Sequence, residues 1–168
     1  MNYKTFYKPA LSLLLFAAII AGGTAYAASP KLKVESTSEI VVTKTVDGKD
    51  VEERVPADKT KPGDVLYFKM TYTNSGDGDA RDARIVDPVP NHTVYLLGSA
   101  DGENTDITCS VDGGRTYQKP PIYVTEKLPD GKTVRRLADA SSYTHIKWVL
   151  GPVKPGQTGT VGFKAQVE

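Results

Sequence analysis

The sequence predicts an all-β protein, an antiparallel β-sandwich of eight or nine short strands, and three observations lead there. After residue 27, Val occurs 17 times and Thr 15 times against seven Leu. β-Branched side chains suit a pleated, half-buried surface better than a helix. Apolar residues also alternate with polar ones, as in Leu66, Phe68, Met70 and Tyr72 against Tyr67, Lys69, Thr71 and Thr73. That period of two belongs to a strand. Finally, turn dipeptides recur at short intervals, and no stretch has convincing helical periodicity.

Residues 1–27 read as a removable export signal. Lys4 and Lys8 precede an apolar run from Leu11 to Ala21, and Ala25-Tyr26-Ala27 has the small-x-small form of a cleavage site. The run is shorter than the ~18 or more apolar residues of a membrane span. The mature chain carries 19 basic and 20 acidic side chains, a formal charge of −1. Such a balance excludes an electrostatic nucleic-acid binder, and the spread of apolar residues excludes a disordered acidic tail.

Residues 28–38 are expected to extend from the body, with 39–168 forming one domain. Ile40 to Val46 and Val51 to Val55 flank Asp47-Gly48 and read as a hairpin. The strand through Leu66 follows Pro62-Gly63-Asp64, where Pro62 fixes φ and Gly63 completes the turn. Asn74-Ser75-Gly76 closes that strand, Asn74 through side-chain hydrogen bonds and Gly76 as a candidate for positive φ. Residues 112–138 form a longer loop or extra hairpin turning at Asp130-Gly131. Ile146, Trp148 and Leu150 alternate next, and Trp148 is large enough to bridge two sheets. Pro155-Gly156 then turns the chain into a last strand in which Val161, Phe163, Ala165 and Val167 share a face. Short strands at regular spacing with polar turns point to an immunoglobulin-like sandwich.

The run from Pro62 through Gly76 resembles the core of a bacterial surface-domain family, the "conserved repeat" domain of unknown function number eleven. The similarity continues through Ala80, Ala83, Ile85, Asp87 and Pro90, and closes on Trp148 to Gly156 and the strand through Phe163. It implies an extracellular spacer, adhesive or filament-forming module with an immunoglobulin-like sandwich and no catalytic residues. Members are often tandem repeats in long anchored proteins, whereas this sequence has one copy, and its stretch 112–138 is longer and more polar than the family pattern.

Several residues invite a chemical reading. Asp77, Asp79 and Asp82, with Asp87 downstream, are candidate calcium ligands, since calcium gathers six to eight oxygens; a solvated turn is the other reading. Lys44 alternates with Ile40, Val42 and Val46, which would face it to the core and make it a cross-link candidate, although residues 161–168 hold no Asn or Asp to join it. The other reading lets its ammonium reach water at an edge. Cys109 is the only cysteine and alternates with Ile107 and Val111, a core position, with an intermolecular disulfide as the alternative. His92 and His145 have no metal-site spacing around them, and no nucleophile–base constellation is present.

The expectation is therefore not an enzyme. It is an exported structural or interaction module of the bacterial surface, extracellular, on the cell surface or periplasmic. No cofactor is implied beyond the calcium candidates. Its partner would be itself or another surface protein, without nucleic acid or a membrane span in the mature chain. In one version it is a filament subunit using strand addition, with Leu32 and Val34 in the donated segment. In the alternative it is a monomeric binding protein that contacts a protein or glycan through 112–138, where Tyr117 and Tyr123 supply aromatic surface.

Overall fold

The computed structural model describes residues 28–168; the export-signal reading of 1–27 lies outside the described residues. The chain runs through β1 (Leu32–Val46), β2 (Lys49–Pro56), β3 (Val65–Asn74), β4 (Arg84–Pro88), β5 (Thr93–Tyr95), β6 (Asp101–Gly102), β7 (Thr105–Ser110), β8 (Tyr123–Lys127), β9 (Thr133–Leu137), β10 (His145–Leu150) and β11 (Thr158–Val167), with one 3-10 turn at Ala140–Ser142. The larger sheet has the order β2-β1-β3-β11-β5, with β6 also paired to β11, and the smaller has the order β4-β10-β7. β8 and β9 pair only with each other. The fold is an all-β, antiparallel sandwich. The strands β5 and β6, three and two residues long, account for most of the excess over the eight or nine expected.

Alternation dictates the core. Leu66, Met70 and Tyr72 of β3 and Val161, Phe163 and Ala165 of β11 are buried on the inner face, opposite Ile85, Ile146, Trp148 and Leu150 of the smaller sheet. Trp148 and Phe163 meet across the layers with ring centroids 6.3 Å apart, and Phe163 lies 5.2 Å from Phe68 and 6.0 Å from Tyr95. Full burial of such a side chain contributes about 1.5–3 kcal/mol, so this aromatic group is the densest source of stability in the fold.

The first strand overturns one expectation. Residues 28–38 do not extend from the body, because Leu32 to Val41 pair along β3 from Leu32↔Asn74 to Val41↔Val65. Upstream, the Lys31 carbonyl accepts the Ser75 amide at 2.8 Å and the Ser29 carbonyl accepts the Asp77 amide at 3.2 Å. A strand whose backbone is already paired in its own sheet is not free to join a neighbour, so the donated-segment reading of Leu32 and Val34 is corrected as well.

β1 continues past the start of β3. Val42 to Val46 pair with β2 alone, closing at Asp47-Gly48, the hairpin expected from the sequence, whose φ values of 50° and 74° are those of a type I′ turn. This end of the β1–β2 hairpin is an arm with no opposing sheet. Lys44 therefore faces solvent rather than core and forms an ion pair with Glu53 on the adjacent strand. A solvated ammonium with a carboxylate neighbour has no chemical pressure toward a cross-link, and the cross-link reading of Lys44 is corrected.

Candidate functional site

The residues with the most convergent polar contacts serve the fold. Asn74 is wholly buried. Its Oδ1 accepts the Lys31 and Gly76 amides at 3.1 Å each, and its Nδ2 donates to the Gly78 and Val153 carbonyls at 2.8 and 2.9 Å. One amide side chain thus ties the N-terminal strand, the 75–78 loop and the approach to β11. Gly76 earns its place by close approach rather than by positive φ: a Cβ there would lie 2.2 Å from the Ser29 carbonyl oxygen. Gly63 and Gly156 do adopt positive φ, 92° and 76°, after Pro62 and Pro155.

The same loop decides the calcium candidates. Asp77 Oδ1 accepts the Ser29 amide at 2.7 Å, Asp79 sits 3.5 Å from Arg81, and Asp82 occupies a left-handed turn position with φ of 53°. Asp77 and Asp79 are thus committed to a backbone amide and a guanidinium. Among the described residues no group of three or more His, Cys, Asp or Glu is placed to hold a metal ion. The structure corrects the trio to a solvated, hydrogen-bonded turn.

A second hub forms where β6 meets β11. The Asp101 carbonyl accepts Trp148 Nε1 at 2.9 Å from inside the sandwich, and Asp101 Oδ1 accepts the Tyr67 hydroxyl at 2.8 Å. Tyr67 lies on the outer face, yet it is buried: the Arg54 guanidinium covers its ring at 3.5 Å, and Gly162 leaves the space beneath it. Burial, reinforced by the Asp101 carboxylate, pushes the Tyr67 hydroxyl up to about 12. Only long-range pairing gives Asp101 this role, so its neighbours in the sequence do not announce it.

Cys109 is fully buried on the core face of β7, paired with Ile146, and burial raises its thiol to about 11. Asp112 organises the following loop. It accepts the Ser110 hydroxyl at 2.7 Å, the Arg115 and Thr116 amides at 3.0 and 2.9 Å and the Thr116 hydroxyl at 2.6 Å. The Thr116 side chain is the largest of the causes that hold its carboxyl well below the usual carboxylate range. His92 and His145 both line one recess of about 410 Å³, without further ligands gathering around them. Asp87, on the inner side of β4, has its carboxyl raised by burial, with His145 working in the opposite direction.

What the structure leaves open to partners is apolar and lies at the two lateral sides of the sandwich. On the β1–β2 side, Val46 and Val51 of the arm are 53% and 49% exposed; exposed Val34 lies toward the other end of β1, opposite Tyr72, and exposed Val86 lies on β4 of the smaller sheet. On the β5 side, Leu97 and Leu137 are 49% and 48% exposed, accompanied by exposed Tyr123 and Val134 of the β8–β9 hairpin. Leu97, Leu137, Pro120 and Pro121 join Tyr95 and Tyr143 around a cup of about 350 Å³. The two phenol oxygens accept the Ala100 and Ile122 amides at 3.2 and 3.3 Å, so the cup presents carbon. Tyr123 carries Arg135 4.3 Å above its ring, whereas Tyr117 is partly covered by Lys147 at 4.0 Å. Sequence reasoning found Tyr123 but not Leu97, Leu137, Val46 or Val51, because exposure depends on where the smaller sheet ends.

No described helix is long and apolar enough to cross a membrane. A scan against protein-family models gave no match, and searches for similar curated proteins and similar solved structures gave none either.

Proposed function

We propose that this protein is an exported structural module that works by contact rather than catalysis, assembling with further copies through the lateral sides of its sandwich. The observation that carries the reading is two separate sets of exposed large apolar residues, Val46 and Val51 on the arm and Leu97 with the β8–β9 hairpin, toward opposite ends of the strand order β2-β1-β3-β11-β5. Exposed apolar groups gathered in patches mark interaction surfaces, and two unlike patches on one body suit repeated head-to-tail contact. Export is supported by the basic, apolar and Ala25-Tyr26-Ala27 succession of the first 27 residues. The resemblance to the bacterial surface-domain family supports the same role.

Strand addition is not part of this reading. β1 is already paired, and the β2 edge carries Lys49, Asp50, Glu52, Glu53, Arg54 and Pro56, the charges and proline with which edge strands resist further pairing. Side-chain docking replaces it. A second reading, a monomer that binds another protein, is favoured by one observation, the apolar cup beside the β8–β9 hairpin.

Light scattering behind size exclusion, with electron microscopy of the early fractions, tests the proposal on protein recovered after export. Species that grow with concentration, as rows or filaments, support the module reading. A monomer at all concentrations up to the millimolar range sinks it in favour of the binding protein.

A further inference from the structure

We propose that the recess beside the β6–β7 turn is a binding site for a neutral saccharide. This goes beyond the assembly reading and does not depend on it. The recess measures about 660 Å³ and lies among the β6–β7 turn, the connection leaving β10 and the start of β11. That is within the ~300–1,000 Å³ of ligand pockets. Its distinguishing group is Tyr72. Four tyrosines are buried among the described residues; Tyr67 donates to Asp101, and Tyr95 and Tyr143 accept the Ala100 and Ile122 amides. Tyr72, only 7% exposed and packed in the core, lines the recess, and its hydroxyl has no hydrogen-bond partner among the described residues. A buried hydroxyl left unmatched costs stability, and a ligand that bonds to it removes that cost.

Two glycines keep the room. A Cβ at Gly159 would overlap the Tyr72 hydroxyl, and a Cβ at Gly151 would overlap the Asn104 side-chain amide. Neither glycine has positive φ, so each serves space rather than backbone shape. Asn104 adopts φ of 53° and its carbonyl accepts the Gly151 amide at 2.9 Å, while its side chain makes no hydrogen bond among the described residues. Burial, and second to it the Glu103 carboxylate, raises the Tyr72 hydroxyl, so Glu103 acts on the same spot. Gln157 Oε1 accepts the Lys154 amide at 3.0 Å, which leaves its Nε2 as a donor at the rim. No Lys, Arg or His lines the recess, whereas Asp101 and Glu103 do, so an anion is repelled. A compact cation would use acceptors alone, yet Asn104 and Gln157 also bring N–H donors. A sugar hydroxyl donates and accepts at once, which matches this mixture of phenol, amide and carboxylate. A second recess of about 610 Å³ shares Asn104 and Gly151, so the ligand can extend past one ring.

The test is isothermal titration of the exported protein with cellobiose, maltose and N,N′-diacetylchitobiose, with pull-down on cellulose, amylose and chitin. At least one of these is expected to bind, a disaccharide with Kd in the micromolar to millimolar range. Tyr72→Phe removes only the unpartnered hydroxyl, so it should weaken binding about tenfold, the share of one hydrogen bond, while melting no lower than the parent. Asn104→Gly keeps the left-handed backbone and should weaken binding to a similar degree. Far-UV circular dichroism checks that each variant is folded. Disaccharide binding that both variants weaken assigns a free sugar or chain end, and polymer binding alone, weakened in the same way, assigns a glycan surface. The proposal is overturned if the folded parent binds no saccharide, or if both variants bind as the parent does. It is overturned too if spermidine binds, Glu103→Gln abolishes that binding and no sugar binds, which would make the recess a cation site. A melting temperature lowered by Tyr72→Phe as much as by Tyr67→Phe would give the hydroxyl to the fold and remove the proposal as well. None of these outcomes touches the assembly reading, which light scattering decides.

Discussion

Asn74 shows how much of this fold rests on one side chain. Its amide satisfies two backbone N–H groups and two carbonyls, one of the latter from Val153, 79 residues away in the chain. Asn74→Leu fills similar volume but strands all four, and each buried unsatisfied group costs ~1–3 kcal/mol. With some recovery by water, a loss of about 3 kcal/mol is expected in urea unfolding. Asn74→Asp keeps the acceptor and loses the donor, so it should be destabilised too, and most strongly where the carboxyl is ionised. Cys109 makes the complementary pH prediction. Burial raises its folded pKa to about 11, above the ~8.5 of an unfolded thiol. In that window the unfolded chain binds fewer protons than the folded one, so stability falls as pH rises from about 8.5 toward 11. Cys109→Ala should flatten this part of the profile, and the wild-type thiol should react with a disulfide reagent only after unfolding. A native thiol that reacts at neutral pH at the unfolded rate would contradict its buried position.

At the scale of elements, β3 and β11 meet with an aromatic laid over a glycine on each face. Tyr72 lies over Gly159 inside, and Tyr67 lies over Gly162 outside; a Cβ at Gly162 would come within 2.4 Å of the Tyr67 ring and 2.7 Å of the Phe68 carbonyl oxygen. Gly162→Ala is therefore expected to displace Tyr67 from Asp101 and cost about 2–3 kcal/mol, the range of overpacked cores. Thermal unfolding should show that Gly162→Ala with Tyr67→Ala loses less than the two single changes summed, because the second change removes the clash. Neither glycine announces this in the sequence, where each reads as a weak strand residue. The alternation of β3, β10 and β11 and the Asp47-Gly48 turn were legible because they are local. Lys44 was misread for a physical reason: period two assigns a face but does not say whether another sheet covers it. The smaller sheet has only three strands, so the inner face of β1 carries Ser36 and Ser38, and the arm beyond it carries Lys44. The candidate site was less legible than the fold, since Leu97, Val46 and Val51 acquire meaning only from exposure.

For the whole molecule, that incomplete coverage divides the chain into a rigid centre and a weakly held arm. Trp148, Phe163, Ile146 and Cys109 are fully buried between two sheets, while residues 43–51 form a two-stranded hairpin exposed along its length. Two-stranded hairpins without a hydrophobic cover are marginal in water, and local opening follows the least buried segments. In dilute protein, amide hydrogens of 43–53 should exchange fastest among the strands. Those of β3, β10 and β11 should exchange only through global unfolding. The Arg54–Tyr67 and Glu52–Lys164 contacts anchor the base of the arm on its outer side, so protection should rise from Val51 toward Val55. Concentration then separates intrinsic mobility from function. If copies assemble through the arm on one side and the β8–β9 hairpin on the other, raising the protein concentration should slow exchange in 46–53 and 134–137 together, leaving Val34 and Val86 unchanged. Slowing at Val34 and Val86 instead would assign assembly to the open inner face of β1 and the free edge of β4.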